Sequence, residues 1–349
     1  MKVRENVALS TLTTLKVGAV ARYVLSIDSE ADIETALAFV RERGLAYVVL
    51  GEGSNVLAED AAYDGAILLM RISGLSFRAE GATALVTAGA GVSWDLLVSE
   101  CADRALWGIE NLAGIPGTVG AAPVQNIGAY GAEMRAALEE VTAYDVRERT
   151  YKTFTNAECG FSYRDSRFKH EPELVITSVT LRLATAGVPH VEYADLVALR
   201  EKGTDLSTPS AIGRAVREVR GRKFPDLREY GTAGSFFKNP IVSEEKYQEL
   251  AKKYEREAAP YGGIPRYPVP GQVKIPLAFI LDKFLGLRGY QLGPAFLFGN
   301  QPLVLVAGKG AHASDVDALA CDIEARVERA TGIRIEREVR FLRAHEARL

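Results

Sequence analysis

The spacing of apolar residues changes period several times along the chain, and each change marks an element. Ile33, Leu37 and Val40 recur at helical spacing behind Ser29 and Asp32, a pair spaced to cap a helix, and Gly44 ends the repeat. Tyr47 to Leu50 and Ala66 to Met70 are short apolar runs that predict buried strands, so residues 1–72 form a small α/β unit. From about Leu85 the period falls to two. Leu85 to Ala88, Val141 to Tyr144 and Val175 to Leu183 predict strands, the last with Val175, Val179, Leu181 and Leu183 on one side, giving a mixed α+β unit over 73–205. Helical spacing resumes at Ile212, Val216 and Val219 until Lys223-Phe224-Pro225 breaks it, so a third unit is expected over 206–349. Five prolines between Pro260 and Pro276 make a loop too long and apolar for a passive linker, expected to lie over a site. Ser314 and Asp317 are spaced to open a late helix with Val316, Leu319, Ile323 and Val327 on one face, ended by Gly332. The last strand, Ile333 to Phe341, alternates: Ile333, Ile335, Arg337, Val339 and Phe341 face one way and Arg334, Glu336, Glu338 and Arg340 the other.

Composition adds mainly exclusions. With 349 residues, 48% hydrophobic and 25% charged, the chain has the balance of a folded protein of two or three domains. A net charge of -3 gives no electrostatic reason to expect nucleic acid or an anionic membrane as partner. The N-terminus lacks a long apolar core, so neither a signal peptide nor a transmembrane span is expected and the location is expected to be cytoplasmic. Cys101, Cys159 and Cys321 are odd in number and far apart, which argues against a disulfide framework. His170, His190, His312 and His345 show no metal-ligand spacing, and no metal is expected.

Two glycine-rich segments carry the first chemical signal. Ile115 to Gly131 interleaves Gly117, Gly120, Gly128 and Gly131 with Pro116 and Pro123, and its only ionisable side chain is Tyr130. Glycine lets main-chain N–H groups approach a ligand and the prolines stiffen the path, so the segment suits a large cofactor, although a buried connection between strands would also account for it. Gly51-Glu52-Gly53-Ser54-Asn55 follows a predicted strand and can aim N–H groups and the Ser54 hydroxyl at a phosphate. It matches neither Gly-x-Gly-x-x-Gly nor the P-loop pattern. Two separate loops suit a dinucleotide, with a pyrophosphate in the middle and a ring at one end.

Three further segments hold candidate chemistry. Phe161 to Lys169 alternates aromatic and cationic residues, which an exposed charged turn explains equally well. Ser235, in Gly234-Ser235-Phe236-Phe237-Lys238-Asn239-Pro240, has no Gly-x-Ser-x-Gly surroundings and no histidine nearby in sequence, so it is no activated nucleophile. Its hydroxyl could still deliver a proton to a basic carbanion if held close; a turn or helix cap is the plain alternative. Glu338, between Arg337 and Arg340 on a strand of alternating charge, reads by itself as part of a solvated face or an ion pair.

Taken together, these segments resemble the UDP-N-acetylenolpyruvoylglucosamine reductase family over nearly the whole chain, in its longer-loop (type I) form. The resemblance rests on Gly51 to Leu57, Ile115 to Gly131, Tyr163-Arg164-Asp165-Ser166, Gly234 to Pro240 and Glu338-Val339-Arg340-Phe341, in the family's order. It implies an α+β protein: a two-subdomain FAD-binding unit of the vanillyl-alcohol-oxidase (PCMH) type over about residues 17–185, then an α+β substrate-binding domain whose last strand could pack on either unit. It implies non-covalent FAD, NADPH as co-substrate, an enolpyruvyl UDP-sugar as substrate and a monomer. Arg164 and Glu338 match the pair that polarises the substrate carboxylate, and Ser235 the proton donor. Tyr193, Lys223, Asn239, Tyr267 and Gln301 match substrate-contacting positions. Gly51, Glu52, Gly53, Ser54, Asn55, Val56, Leu57, Asn111, Ile115, Pro116, Gly117, Thr118, Gly120, Ala121, Gln125, Asn126, Gly128, Ala129, Tyr130 and Gly131 match cofactor positions. A flavin-dependent oxidase or dehydrogenase of the same fold, and a non-catalytic nucleotide-sugar binding protein, are the alternatives.

Overall fold

The structure is a computed structural model that describes residues 1–343; His345 and the rest of the C-terminal end fall outside the described residues. The N-terminal sheet runs in the order Lys2–Ala8, Val20–Ile27, Tyr63–Met70, Ala46–Leu50, with the last three parallel. Helix Glu30–Glu42 begins on the anticipated cap, the Ser29 N–H donating to Asp32 Oδ2 at 3.0 Å, and buries Ile33, Leu37 and Val40. The second sheet is antiparallel, in the order Thr150–Thr155, Leu138–Asp145, Leu174–Ala184, Thr83–Gly89, Leu75–Glu80. The third, also antiparallel, runs Gly231–Ser235, Val304–Ala307, Ala295–Leu297, Gln291–Leu292, and helix Ala313–Thr331 covers it. Val316, Leu319, Ile323 and Val327 on that helix are fully buried, each stabilising by roughly 1.5–3 kcal/mol over exposure.

Four details depart from the sequence pattern. Helix Pro209–Lys223 buries Ile212, Val216 and Val219 in one core with Trp94, Leu97 and the second sheet, so the first core runs on past the expected break at 205. The second core belongs to the residues beyond, with Leu15, Val17 and Leu57 reaching into it. Helix Ala313–Thr331 is capped by His312 with Asp315, not by Ser314 with Asp317; the N–H groups of Ala313 and Ser314 are taken by Asp60 at 2.8 and 2.9 Å. The Pro260 to Pro276 segment folds into a hairpin, Tyr267–Val269 against Gln272–Lys274. Of the anticipated last strand, Ile333 to Phe341, only Arg340 and Phe341 are ladder-paired, in a short strand Arg340–Leu342 parallel to Val56–Ala58 of the N-terminal unit. Among the described residues no helix is long and apolar enough to cross a membrane.

Candidate active site

The two glycine segments meet face to face. Gly53 adopts φ +61°, and a Cβ there would lie 2.2 Å from the Leu12 carbonyl oxygen, so only glycine fits. The N–H groups of Gly53, Ser54 and Asn55 find no acceptor among the described residues. Across the gap, Glu52 Oε2 accepts the Gly117 N–H at 3.0 Å and the Ser54 hydroxyl donates to the Pro116 carbonyl at 3.0 Å. A Cβ on Gly117 would lie 2.8 Å from Ser54 Oγ, and one on Gly51 2.4 Å from Thr118 Oγ1. A cavity of about 340 Å³ opens beside this contact, lined by Gly51, Glu52, Thr118, Thr13 and Arg71 among others.

Not every residue of the two segments is free to meet a ligand. The N–H groups of Val119 and Gly120 donate to Val92 and Ala90 at 2.8 and 2.9 Å, docking the short helical turn Val119–Ala121 on the second unit. Asn126, expected as a polar cofactor contact, is fully buried and spends its amide inside the protein: Nδ2 donates to Glu133 and to the Ser162 carbonyl, and Oδ1 accepts the Arg135 N–H. Its role is to hold the left-handed turn (φ 43°) that ends Pro123–Gln125. Val56 sits in the ladder to Arg340 and Leu57 in the second core, so both hold the frame. Asn111 donates to the Tyr130 and His190 carbonyls at 2.9 and 2.8 Å, while its buried Oδ1 has no partner among the described residues. Gln125 Oε1 accepts from Asn55 Nδ2 at 2.7 Å. Gly128–Ala129 pairs with Ala132–Glu133, closing a tight hairpin through Tyr130 and Gly131, both at positive φ.

Arg164 and Glu338 come together beside this hairpin. Arg164 Nε lies 2.8 Å from Glu338 Oε1, and Arg164 Nη2 donates to the Gly128 carbonyl at 2.7 Å. Both side chains are largely buried. Glu338 is carried to this point by main-chain pairing: its N–H donates to the Phe236 carbonyl at 2.8 Å, and the Lys238 N–H donates to the Glu336 carbonyl at 2.9 Å. Ser235 therefore stands one residue from the carbonyl that holds Glu338. Its strand, Gly231–Ser235, pairs with Val304–Ala307, and its hydroxyl makes no hydrogen bond among the described residues.

The expected substrate residues fall into two groups. Tyr193 packs edge-on against Tyr130 with ring centroids 5.2 Å apart, and Lys223, the last residue of its helix, lies 6.0 Å from the Tyr193 centroid and pairs with Asp195. Asn239 connects the other group: its N–H meets the Tyr163 hydroxyl at 3.3 Å and its Oδ1 accepts the Leu277 N–H at 2.9 Å. Tyr267 is half exposed opposite Lys274 in the hairpin. Gln301 lies in the turn before Val304, the register partner of Ser235, beside Asn300, which donates to the Arg222 carbonyl at 2.9 Å; its own side chain joins none of the others. Sequence reasoning missed Lys274. Its Nζ stands 4.5 Å over the Tyr163 ring and 5.8 Å from that of Tyr267, and burial holds its pKa below the usual lysine value. Only its place in the proline-rich loop hinted at it.

Comparison with known proteins bears on this arrangement. Residues 21–151 match the FAD binding domain family, and residues 226–342 match the UDP-N-acetylenolpyruvoylglucosamine reductase C-terminal domain. The UDP-N-acetylenolpyruvoylglucosamine reductase of Pseudomonas aeruginosa is 38% identical over 342 residues, covering 97% of this chain and 98% of that one. That of Cupriavidus pinatubonensis is 42% identical over 91% and 93% of the two chains. The chain belongs to the UDP-N-acetylenolpyruvoylglucosamine reductase family. The crystal structure of the reductase from Thermus caldophilus superposes with a TM-score of 0.67 at 26% identity, covering 98% of this chain and 100% of that one. Membership makes the protein an FAD-linked oxidoreductase of peptidoglycan precursor synthesis, a UDP-N-acetylmuramate dehydrogenase.

The residues present fit the cofactor of this reductase family. Three consecutive N–H groups without protein acceptors at Gly53, Ser54 and Asn55 form an anion cradle of the size of a phosphate, and the close approach of the two glycine segments leaves no room for side chains there. The buried Asn111 Oδ1, unpartnered among the described residues, adds an acceptor next to the Tyr130 hairpin. At the reductase's charged pair, burial pushes the Glu338 carboxyl above the usual carboxylate range and outweighs the opposing pull of Arg164, Lys169 and Lys238. A cation and a carboxyl that holds its proton more readily than usual thus lie within 3 Å of each other.

Proposed function

We propose that the protein reduces enolpyruvyl UDP-N-acetylglucosamine to UDP-N-acetylmuramate with NADPH as the reductant. The observation that carries this reading is the buried Arg164–Glu338 pair beside the free Ser235 hydroxyl and the glycine-lined cradle. Bound non-covalently between the two glycine segments, FAD supplies the hydride carrier between NADPH and the enolpyruvyl double bond. Arg164 sets a fixed positive charge against the substrate carboxylate, onto which charge spreads as the double bond is reduced. Glu338, with its raised pKa, donates a hydrogen bond to the same carboxylate; the pair therefore stabilises the enolate-like state more than the starting enol ether. Ser235 Oγ delivers its proton to the carbon next to the carboxylate, a step that depends on position more than on acidity. Tyr193 and Lys223 hold the diphosphate end, as in the longer-loop form, with Asn239, Tyr267 and Gln301 ranged along the sugar nucleotide. All of these residues come from one chain, so the site is complete in a monomer.

The test is substrate-dependent NADPH oxidation by FAD-loaded protein. Oxidation at 340 nm only when the enolpyruvyl sugar is present supports the reading; binding of the sugar without oxidation would favour a non-catalytic nucleotide-sugar binder. Acid precipitation should release the flavin, since neither glycine segment contains a histidine. His190 is the histidine to watch, because a Cβ on Gly131 would lie 3.3 Å from its Cε1. A yellow pellet that turns white in a His190→Ala variant would overturn non-covalent attachment.

A further inference from the structure

Lys169 lies outside the residues assigned above, yet it grips the turn that carries Arg164. Arg164 has φ +55°, a left-handed backbone that residues other than glycine and asparagine rarely adopt. The turn is closed by the Ser162 N–H to the Asp165 carbonyl at 3.1 Å and the Asp165 N–H to the Ser162 carbonyl at 3.3 Å. From the single-turn helix Arg167–His170, Lys169 reaches back and donates its Nζ to the Arg164 carbonyl at 3.1 Å. That helix is anchored independently. The buried Ser166 donates its hydroxyl to the Val124 carbonyl at 2.8 Å, and buried Phe168 packs edge-on against Phe154.

The charges around Glu338 are unequal in their freedom. Three cations face it: Arg164 and Lys169 from the Tyr163 to His170 segment, and Lys238 from the segment that follows strand Gly231–Ser235; the Tyr163 phenol faces it too. Lys238 is paired with Glu336 at 2.9 Å, and Arg164 with Glu338 itself. Of the carboxylates near Lys169 in sequence, Asp165 is paired with His170 at 2.8 Å and Glu171 with Arg167 at 3.1 Å. Among the described residues Lys169 has no carboxylate within ion-pair distance, and its fixed partner is a neutral carbonyl.

We propose that Lys169 is a positioning residue for the reaction, pinning the left-handed Arg164 turn and holding an uncancelled positive charge toward Glu338. The proposal rests on the roles of Arg164 and Glu338 given above. A cation there favours ionised Glu338, so its removal raises the pKa of Glu338 and moves the pH limb set by that group to higher pH. Lys169 is exposed overall, so its truncation leaves the fold in place.

The experiment follows the two half-reactions of FAD-loaded Lys169→Met and Lys169→Arg enzymes by anaerobic stopped flow across a pH series. In Lys169→Met, reoxidation of the flavin by the enolpyruvyl sugar should slow about tenfold and its pH limb should rise by about half a unit, while flavin reduction by NADPH stays within about twofold. Lys169→Arg, which keeps the charge and a donor, should restore the rate to within about threefold and the limb to its original pH. An unmoved pH limb, equal slowing of both half-reactions or failure of arginine to rescue would each overturn the proposal. Glu338→Gln serves as the control. If it too leaves reoxidation unchanged, the reading of the catalytic pair has failed; if it slows reoxidation while Lys169→Met does not, only the role of Lys169 has.

Discussion

Asn55 donates its side-chain amide to the main-chain carbonyl of Glu338 at 3.1 Å, a contact that spans 283 positions of sequence. The same Nδ2 donates to Gln125 Oε1 at 2.7 Å, and the Asn55 carbonyl accepts the Arg340 N–H at 3.0 Å. One residue of the first glycine turn therefore fixes the second glycine segment and the segment that presents Glu338. Replacing Asn55 with alanine removes two part-buried hydrogen bonds and strands two acceptors, a loss of roughly 1–3 kcal/mol. FAD affinity should fall about tenfold or more, and reoxidation by substrate should slow as Glu338 loses its register. Titration of flavin-free protein with FAD and single-turnover kinetics check both; normal values of each would show that the bridge does not matter.

Glu338 should make the protein less stable than a neutral isostere does as pH rises. Its pKa is raised in the folded state because burial penalises the charge. Between the unfolded value, near 4.5, and the raised folded value, the native state binds more protons than the unfolded state, so stability contributed by this group is present at low pH and is lost on going up through that window. Glu338→Gln carries no such dependence. The melting temperature of the variant relative to wild type should therefore climb from pH 4.5 upward, while turnover collapses. A constant or falling difference in melting temperature over that range would count against the raised pKa.

The alternation of the last segment was legible in the sequence; its destination was not. Ile333, Ile335 and Val339 are buried as the pattern requires, and Arg334, Glu336 and Arg340 are exposed. Glu338 lies on the outward face too, but outward there means against Tyr163 to His170, a segment 170 or so positions earlier, and no local pattern encodes that partner. The same holds for Phe161 to Lys169, where alternating aromatics and cations suit a solvated turn equally well until Asn239 and Lys274 are seen to close over Tyr163. Strand Lys2–Ala8 escaped for a different reason: it is an edge strand, mostly exposed, with no apolar period to detect. The start of helix Ala313–Thr331 was misplaced because Asp60, far away in sequence, takes the N–H groups of Ala313 and Ser314 and so lets the helix begin ahead of the expected cap.

Two glycines with the same backbone angle should respond differently to alanine. Gly53 and Gly81 both have φ +61°, but a Cβ at Gly53 meets the Leu12 carbonyl oxygen at 2.2 Å while one at Gly81 meets nothing within 4 Å. Gly81→Ala should cost only the left-handed strain of about 1–2 kcal/mol and leave FAD content unchanged. Gly53→Ala has to move Leu12 or the cradle itself, so purified protein should carry little flavin and melt several degrees lower than Gly81→Ala. The ratio of absorbance at 450 and 280 nm, with thermal melts, distinguishes them. Equal flavin content in the two variants would mean that the Gly53 turn is not part of the cofactor cradle.

Ser235 separates the half-reactions most cleanly. It follows Gly234, which adopts φ +76°, and precedes the fully buried pair Phe236 and Phe237, so the backbone is held on both sides while the hydroxyl remains unpaired among the described residues. Removing one oxygen from such a site creates no cavity and breaks no internal hydrogen bond, so Ser235→Ala should fold, bind FAD and melt within about 0.5 kcal/mol of wild type. Flavin reduction by NADPH needs no proton at the substrate carbon and should be nearly unchanged. Reoxidation by the enolpyruvyl sugar needs that proton and should slow by 10²-fold or more, the usual scale for loss of a positioned acid. Ser235→Cys, which returns a proton donor of similar size at the same place, should recover part of the rate. If Ser235→Ala slows both half-reactions alike, Ser235 shapes the site rather than protonating the substrate, and the donor must be sought among bound water or Glu338 itself.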